Sequence, residues 1–384
     1  MGIKGNQIKI VLLNRNYPPQ NGVTGQSANE LFKFLNSSGL DLNVVHIDGN
    51  YSGISDLEDE IFGKKHIINT FYSGKLKLLR LISSLYEGYM LARKAISIKP
   101  DIIISMTDPP LLNFWVSMFS KNKKIPWAYW TMDLYPEAFV SAGLIKNNGL
   151  FFKIIKKTLK KNSPKFIISL GQNQFEFIKN EYNYDVPSII LPCGVSQIEK
   201  SENKNISKII GDKISICYAG NLGEAHNPKF IKNIVDCLNP KKHVLFLSLY
   251  GSKSDEVYEY SKNKTGVYFL ENINRKNMHM IDIHLVSLLQ QWDHVCVPSK
   301  AISAVSQGSA ILFECSEQND NWQLLQSAGW RINFNDFKEV SKFMCNVSKD
   351  LILTKRKNAI EISNNLKKIK QNSFNNILKN LINV

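Results

Sequence analysis

Short apolar runs alternate with polar, helix-period segments along most of the chain. In the first half the apolar runs cover residues 8–13, 43–47, 67–71, 102–105, 127–130 and 166–170. Helix-period segments at 27–36 and 76–95 separate some of these runs. Several runs are continuous in Ile, Val and Leu, which is typical of strands buried on both faces of a parallel sheet. The pattern therefore predicts an α/β fold with a doubly wound sheet.

The same alternation begins again after a polar stretch rich in Lys, Asn, Ser and Glu. The later apolar runs cover residues 214–219, 243–250, 266–270, 283–288 and 310–314. We therefore expect two similar domains with a basic C-terminal helix that packs back on the first. The predicted limits are 1–195 for the first domain, 196–212 for a linker, 213–360 for the second domain and 361–384 for the helix.

Length and composition agree with a two-domain globular protein in a reducing compartment. The chain has 384 residues, of which 43% are hydrophobic. The longest apolar stretch, 111–119, is far shorter than the roughly 20 residues that span a bilayer. No secretory signal pattern is present, and the six cysteines form no CxxC pair. We therefore expect a cytoplasmic protein without a membrane span.

The formal net charge of +15 favours an anionic partner, which could be nucleic acid, anionic lipid or a phosphorylated small molecule. Charge alone does not choose among these. The sequence has no GxSxG, HExxH, Walker loop or Asp-x-Asp motif. If the chain binds phosphates, backbone amides and basic side chains are expected to do so, without a metal cofactor.

Two segments of the second half predict an anion site. In "ICYAGNLG" a strand ends in a loop in which Gly220 and Gly223 allow backbone amides to face a phosphate, and a helix follows. In "VPSKAISAVSQG" Ser299 and Lys300 stand just before a helix that ends near Gly308. Lys300 could neutralise a phosphate or be an ordinary solvated lysine, and Ser299 could bind an oxygen or cap the helix.

Two segments of the first half are candidates for ligand binding at the carboxyl edge of a sheet. In "NRNYPPQNGVTGQS" Gly22 and Gly25 flank a loop before a helix that we expect to begin at Ser27, although a plain strand-to-helix turn explains the same pattern. In "PWAYWTMDLYPEAF" Asp133 and Glu137 follow a strand, where carboxylates can orient sugar hydroxyls or act as a base. Considered locally, helix capping by Asp133 and a solvated position for Glu137 explain this segment better.

The segment "LFFKIIKKTLKKNSPK" predicts a helix with an apolar stripe and a cationic face. Such a helix could pack on the first domain, lie on an anionic membrane surface, or do both. Its candidate membrane-facing residues are Lys153, Lys156, Lys157 and Lys160.

In order and spacing, "YPPQNGVTG", "DLYPE", "YAGNLG" and "VPSKAISAVSQGSAIL" resemble family 4 glycosyltransferases of the GT-B fold. The likeness is greatest to the N-acetylfucosamine transferase-like branch of bacterial polysaccharide synthesis, which makes lipopolysaccharide and capsule. It implies two Rossmann-like domains facing across a cleft, a nucleotide-sugar donor on the second domain and an acceptor on the first. It also implies retention at the anomeric carbon without a metal.

The resemblance assigns roles to the candidate residues. Asp133 and Glu137 would be catalytic, at the reaction centre or the acceptor mouth. Lys300 would be catalytic through its contact with the diphosphate, and Gly22 and Gly25 would close on the donor. The second-domain residues that would bind the donor are Gly220, Asn221, Leu222, Gly223, Pro298, Ser299, Lys300 and Ala301.

The chain departs from the family pattern at three positions. Val295 and Ser303 stand where many members carry a Glu-x7-Glu pair, and Asn221 replaces the usual arginine beside the phosphate loop. This leaves ribose contacts unassigned and shifts the charge requirement to Lys300.

We therefore hypothesise a retaining glycosyltransferase that moves a sugar from a nucleotide diphosphate, with UDP as the expected nucleotide, to a saccharide or lipid-linked acceptor on the inner face of the cell membrane. The alternatives are a nucleotide-sugar 2-epimerase of the same fold and a noncatalytic nucleotide or nucleic-acid binder. Against the last, the sequence has no RNA-recognition signature.

Overall fold

The chain divides into two compact units in a computed structural model that describes residues 7–20, 22–48, 60–72, 77–195 and 199–383. The first unit comprises Met1–Cys193 with Lys370–Val384, and the second comprises Gly194–Ile369. Each unit is built around one sheet in which every described strand pairing is parallel. The predicted fold class, two doubly wound Rossmann-like domains, is confirmed.

The first unit contains a seven-stranded sheet in the order β3-β2-β1-β4-β5-β6-β7. Its strands are β1 Lys9–Leu13, β2 Asp41–Asp48, β3 Lys64–Asn69, β4 Ile102–Ser105, β5 Trp127–Trp130, β6 Phe166–Ser169 and β7 Ser188–Ile190. The central strands β4, β5 and β6 are buried along their whole length, as their continuous apolar runs predict.

Among the described residues of the first unit, the α-helices between the strands are α1 Val23–Leu35, α2 Lys77–Ser97, α3 Leu112–Lys123, α4 Glu137–Ser141, α5 Leu150–Lys161 and α6 Gln172–Tyr182. The end of the last helix of the chain also belongs to this unit. Lys370 Nζ lies 2.6 Å from Glu30 Oε2, and Ser373 Oγ donates to the Ile190 carbonyl at 2.6 Å.

The second unit contains a six-stranded sheet in the order β10-β9-β8-β11-β12-β13. Its strands are β8 Ile214–Asn221, β9 His243–Tyr250, β10 Val267–Phe269, β11 Ile283–Ser287, β12 Ala310–Glu314 and β13 Gly329–Ile332. Its helices are α7 Lys204–Ile210, α8 Pro228–Asp236, α9 Ser254–Ser261, α10 Ser299–Ser306, α11 Asp320–Leu325, α12 Phe337–Asn346 and α13 Lys349–Ile382, whose end lies in the first unit.

Two predicted segments differ from the structure. Residues 204–210 of the predicted linker form α7, because the side chain of Asn203 accepts hydrogen bonds from the amides of Asn205 and Ile206 and caps the helix. Residues 196–198 of that linker lie outside the described residues. The C-terminal helix begins at Lys349 instead of at residue 361.

The parallel arrangement fixes where ligands can meet each unit. In an open parallel sheet all strands end at the same edge, and the loops that follow them form the ligand-binding surface. In the first unit this edge carries the residues that follow β1, β4 and β5. In the second it carries those that follow β8, β9, β11 and β12.

Candidate functional site

The glycine loop of the second unit begins within strand β8, which continues through Gly220 to Asn221. Gly220 has φ of +116°, a conformation that side-chain-bearing residues rarely adopt. A Cβ atom at this position would lie 3.5 Å from Cε of Lys300. Gly220 therefore provides the turn, and a Cβ atom there would make only ordinary van der Waals contact with the lysine side chain.

The backbone of the loop is held by the strand beside it. The amide of Leu222 donates to the carbonyl of Tyr250 at 2.6 Å, and the Leu222 side chain is fully buried. This contradicts the prediction that Leu222 binds the donor, because its amide is already bonded to β9 and its side chain is buried. For Gly223, no hydrogen bond from the amide is found within the described residues. The amide of Gly223 is thus the better candidate for donating a hydrogen bond to a phosphate.

Lys300 lies on this loop. Its Nζ donates to the Tyr218 hydroxyl at 2.6 Å and to the Asn221 carbonyl at 2.6 Å. The ammonium also lies 4.3 Å from the centre of the Tyr218 ring, a cation–π contact. The structure therefore joins the two motifs that sequence reasoning assigned to one anion site, "YAGNLG" and "VPSK".

The third partner of Lys300 is His226, which sequence reasoning did not select. His226 Nδ1 lies 2.5 Å from the Ser287 carbonyl, which can only accept, so this nitrogen carries the proton. Nε2 is then an acceptor, and it lies 3.2 Å from Lys300 Nζ. Burial, followed by the charge of Lys300, lowers the pKa of His226 to about 3. The imidazole is therefore neutral at physiological pH.

The protonation of Lys300 is sensitive to its surroundings. Burial lowers the pKa of its ammonium to about 7, and Cys296 opposes this shift. All three ammonium hydrogens have an acceptor, namely Tyr218, Asn221 and His226. An arriving diphosphate would add the negative charge that this site lacks, and it would favour the charged lysine.

The strand ends of β11 and β12 hold His226 and its neighbour Asn227 in place. The Asn227 amide donates to Ser287 Oγ at 3.0 Å. Asn227 Nδ2 donates to both carboxylate oxygens of Glu314, at 3.0 and 2.9 Å, and the amide of Asn335 donates to the same carboxylate at 3.1 Å. Asn227 also caps α8 through its side chain. These bonds fix the segment that carries the histidine.

The other residues around the start of α10 that are predicted to bind the nucleotide-sugar donor are Pro298, Ser299 and Ala301, and Pro298 and Ala301 contribute to the packing of the helix start. Pro298 is the N-cap residue of α10, so Ser299 occupies the first helical position and does not cap the helix. The Pro298 carbonyl accepts from Asn321 Nδ2 at 2.7 Å. Ala301 is fully buried, which contradicts a side-chain contact with the donor.

The two glycines that the sequence analysis singles out in the first unit lie at the start of α1, and their contact with a donor stays a prediction. Gly22 precedes α1 as its N-cap residue, whereas Gly25 lies inside α1, which begins at Val23 and not at Ser27. A Cβ atom on Gly25 would lie 2.7 Å from the carbonyl oxygen of Asn16. Gly25 is therefore required for close packing of the helix on the loop before it.

Asp133 follows β5 at the carboxyl edge of the first sheet and is exposed. It caps no helix: the N-cap residue of α4 is Pro136, without a side-chain cap bond. Desolvation, and then the neighbouring carboxylate of Asp108, raise the pKa of Asp133 to about 6. Asp108 follows β4, the strand beside β5. Sequence reasoning missed Asp108 because "TDPP" has the composition of an ordinary turn.

Arg15, which follows β1, completes this edge. Its Nε lies 3.0 Å from Asp108 Oδ1, and its NH1 lies 3.1 Å from Glu87 Oε2. Its NH2 donates to Ser84 Oγ at 2.7 Å. Arg15 therefore holds Asp108 in place and links the ends of β1 and β4.

Glu137 does not share this surface. It is buried, and its Oε1 accepts a hydrogen bond from the Tyr182 hydroxyl at 2.6 Å. Burial raises the pKa of its carboxyl, a shift that the bond from Tyr182 opposes. This position contradicts both the solvated position and the place at the reaction centre that sequence reasoning gave it, because its carboxyl faces the interior of the first unit.

Helix α5 presents a mixed surface. Phe152, Ile155 and Leu159 are buried, as an apolar stripe packed on the unit predicts. Three further apolar residues are exposed, namely Leu150, Phe151 and Ile154. Of the predicted membrane-facing lysines, Lys153, Lys157 and Lys160 are exposed. Lys156 is instead paired with Glu181 and is only partly exposed, which corrects its assignment.

No family model matches the sequence, and a search of curated proteins finds no match. Solved structures do match over nearly the whole chain. A sucrose-phosphate synthase from Thermosynechococcus elongatus has a TM-score of 0.72 at 12% identity, covering 98% of this chain and 99% of its own. None of the described helices is long and apolar enough to cross a bilayer.

Two other solved structures are also similar to this chain: one is described as a glycosyltransferase, and the other contains UDP and glucose. WaaG, a glycosyltransferase involved in lipopolysaccharide biosynthesis, has a TM-score of 0.68 at 14% identity over 95% of this chain and 98% of its own. Anabaena HepE, solved in complex with UDP and glucose, has a TM-score of 0.66 at 13% identity over 97% and 99%. At these identities the likeness shows the fold, and that fold is the two-domain GT-B type.

Proposed function

We propose that this protein is a retaining glycosyltransferase that moves a sugar from a nucleotide diphosphate, most simply UDP, to a saccharide or lipid-linked acceptor. We place it in family 4, in the branch that resembles N-acetylfucosamine transferases, and in the synthesis of a bacterial cell-surface polysaccharide such as lipopolysaccharide or capsule. The observation that carries this proposal is the position of Lys300 on the glycine loop that ends β8.

The donor diphosphate binds where the glycine loop and the start of α10 meet. Lys300 supplies the positive charge, and the Gly223 amide faces the phosphates. A cation next to the leaving diphosphate stabilises the charge that develops as the glycosidic bond to phosphate breaks. Such a site acts through preorganised protein groups, so we propose that the protein itself binds no metal for this step.

The acceptor binds at the carboxyl edge of the first sheet. Asp133 is exposed there with a pKa near 6, so near neutral pH most of it is ionised and able to accept a hydrogen bond from an acceptor hydroxyl. Arg15 and Asp108 hold the neighbouring surface. A carboxylate in this position can orient the hydroxyl and take its proton as the new glycosidic bond forms.

We propose that the protein works on the inner face of the cell membrane and contacts it through α5. The exposed side of this helix combines Leu150, Phe151 and Ile154 with Lys153 and Lys157. Apolar side chains of this kind enter the headgroup boundary, while each nearby lysine contributes about 1 kcal/mol toward an anionic surface. This arrangement suits a lipid-linked acceptor.

A binding and turnover experiment tests the proposal. A thermal-shift panel of nucleotide sugars identifies the donor, since a ligand at 100 times its dissociation constant adds about 2.7 kcal/mol of stability. Release of free nucleotide is then measured with and without a panel of saccharide and lipid-linked acceptors. We expect acceptor-dependent release that is lost in Lys300→Ala. Conversion of the donor sugar without any acceptor would instead indicate an epimerase and contradict the proposal.

A further inference from the structure

Tyr250 is the last residue of β9 and lies beside the glycine loop. In the sheet register it is paired with Asn221, the last residue of β8. Its carbonyl accepts the amide of Leu222 at 2.6 Å. The backbone of Tyr250 is thus bonded directly to the loop on which Lys300 lies.

The residues that follow Tyr250 press against the same loop. Gly251 has φ of +110°, and a Cβ atom there would lie 2.1 Å from Asn221 Oδ1 and 3.0 Å from the carbonyl carbon of Leu222. The amide of Lys253 donates to the Leu222 carbonyl at 3.0 Å. These contacts fix the position of Tyr250 relative to the loop before any ligand binds.

The side chain of Tyr250 is unusual for a large aromatic at such a rigid position, because it is 64% exposed. Other exposed tyrosines of the second unit have partners: Tyr258 contacts Phe269 with ring centres 4.8 Å apart, and Tyr260 donates to Asp236 at 2.7 Å. For Tyr250, no ring contact or side-chain hydrogen bond is found within the part of the chain that the structure describes. A large apolar surface is therefore available next to the anion site.

The Tyr250 side chain is also close to the cluster around Lys300. Burial, and then the phenol of Tyr250, raise the pKa of the Tyr218 hydroxyl, which is the group that accepts from Lys300 at 2.6 Å. Because Tyr250 is also paired with Asn221 in the sheet, it lies next to the proposed diphosphate site. A nucleoside joined to that diphosphate through a single ribose carbon must place its base within a few bonds of the loop.

We propose that the ring of Tyr250 stacks on the nucleobase of the donor, and that it gives the site its affinity for nucleosides over bare diphosphate. This rests on the function proposed above. Every base has a π face, so stacking on a fixed aromatic ring strengthens binding with little dependence on base identity. Tyr250 is a binding residue in this proposal and takes no part in bond breaking.

The test uses titration calorimetry on the full chain. It compares the binding of inorganic pyrophosphate with the binding of four nucleoside diphosphates, namely UDP, ADP, GDP and CDP. Stacking on an aromatic ring is worth enough that Tyr250→Ala should weaken nucleoside diphosphate binding about tenfold. Binding of pyrophosphate should not change. Tyr250→Phe retains the ring and should bind like the wild type. Tyr258→Ala, at an exposed tyrosine on α9, is the matched control and should also bind like the wild type.

The outcomes separate this inference from the function on which it rests. If Tyr250→Ala binds the nucleotide as tightly as the wild type, or loses affinity for pyrophosphate and nucleotide equally, the stacking role is wrong while the donor site stands. If the wild type binds none of the four nucleoside diphosphates, the proposed function fails and this inference fails with it. A loss confined to the nucleotides in the alanine variant supports the inference.

Discussion

Nε2 of His226 lies 3.2 Å from Nζ of Lys300 and accepts a hydrogen bond from it, because the other ring nitrogen is committed to the Ser287 carbonyl. The Ser287 carbonyl thus selects the tautomer of the neutral histidine, and in that tautomer Nε2 can accept a hydrogen bond from the lysine. The two residues are separated by 74 positions in the sequence. Their contact connects the segment before α8 with the start of α10.

We expect His226→Leu to lower the free energy of unfolding of the second unit by about 1–3 kcal/mol, because the Ser287 carbonyl and one Lys300 hydrogen both lose their partner in a buried place. His226→Gln retains one donor and one acceptor and should recover part of the loss. Thermal and denaturant unfolding measure both variants. Equal stability of the leucine variant and the wild type would show that the hydrogen bonds of His226 to Ser287 and Lys300 do not stabilise the unit.

Binding of a nucleoside diphosphate should weaken as the pH rises above 7. The pKa of Lys300 is about 7 in the free protein, so the ammonium is lost above that pH, whereas the bound diphosphate favours the charged form. Binding at pH 8 should therefore take up protons, and affinity should fall by up to about tenfold per pH unit above 7. Calorimetry in buffers of different ionisation enthalpy measures the proton uptake.

Lys300→Arg is the control for this pH dependence. A guanidinium stays charged in this range, so the arginine variant should bind with little change between pH 7 and 9. The same slope in Lys300→Arg as in the wild type would assign the titration to another group.

Gly251→Ala should be more damaging than Gly211→Ala, although both glycines have positive φ. At Gly211 a Cβ atom would have open space around it, so only the backbone strain of about 1–3 kcal/mol applies. At Gly251 the added methyl group would also collide with Asn221 and with the backbone of Leu222, a further cost of about 1–3 kcal/mol. Denaturant unfolding compares the two, and equal losses would mean that the loop moves aside freely.

Transferase activity should rise with pH through about 6, since Asp133 must be ionised to accept a proton from the acceptor. Asp108→Asn removes a like charge and lowers the pKa of Asp133, so the acidic limb of the pH–rate profile should move to lower pH. Asp133→Asn should reduce kcat by roughly 10²- to 10⁴-fold without weakening donor binding.

Glu137→Gln is the matched variant for this experiment, because Glu137 is a buried carboxyl of the same unit. It should lower thermal stability and leave the position of the acidic limb unchanged. If Glu137→Gln shifts the acidic limb of the pH–rate profile and changes at Asp133 do not, Glu137 is the group at the reaction centre.

Replacement of Lys153, Lys157 and Lys160 by glutamate should abolish flotation with vesicles that contain anionic lipid, because these exposed lysines supply the attraction to the surface. Lys156→Gln is the internal control, since this lysine is already paired with Glu181. We expect it to float like the wild type. Indifference of the wild type to anionic lipid would remove the proposed membrane role of α5.

The sequence predicts the strands best where apolar runs are continuous. The observed limits of β4, β5, β9 and β12 match the predicted runs. The sequence pattern does not predict the short strands β7 and β13, although it does predict β3 and β10, which also lie at the edges of their sheets. The four residues of β13, Gly329–Ile332, are too few and too mixed in polarity to form a distinct apolar run.

The sequence predicts the parts of the candidate site whose geometry depends on neighbouring residues in the chain. It does not predict the parts whose geometry depends on partners far away in the sequence. Gly220 and Lys300 stand out locally as a strand-end glycine and a lysine at a helix start. His226 acquires its role only through Ser287, 61 residues away, and Asp108 only through Arg15, 93 residues away. Such contacts depend on the order of strands in the sheet, which a single sequence does not show.

The three acceptors around the ammonium of Lys300 also bear on how a cycle of turnover ends. When a diphosphate product leaves, the protein's own oxygen and nitrogen atoms are already in place to take up the hydrogens of the lysine. Departure therefore does not strand an unsolvated charge in the site. If the protein has the proposed transferase activity, these three acceptors replace the contacts of the departing diphosphate and lower the barrier to its release.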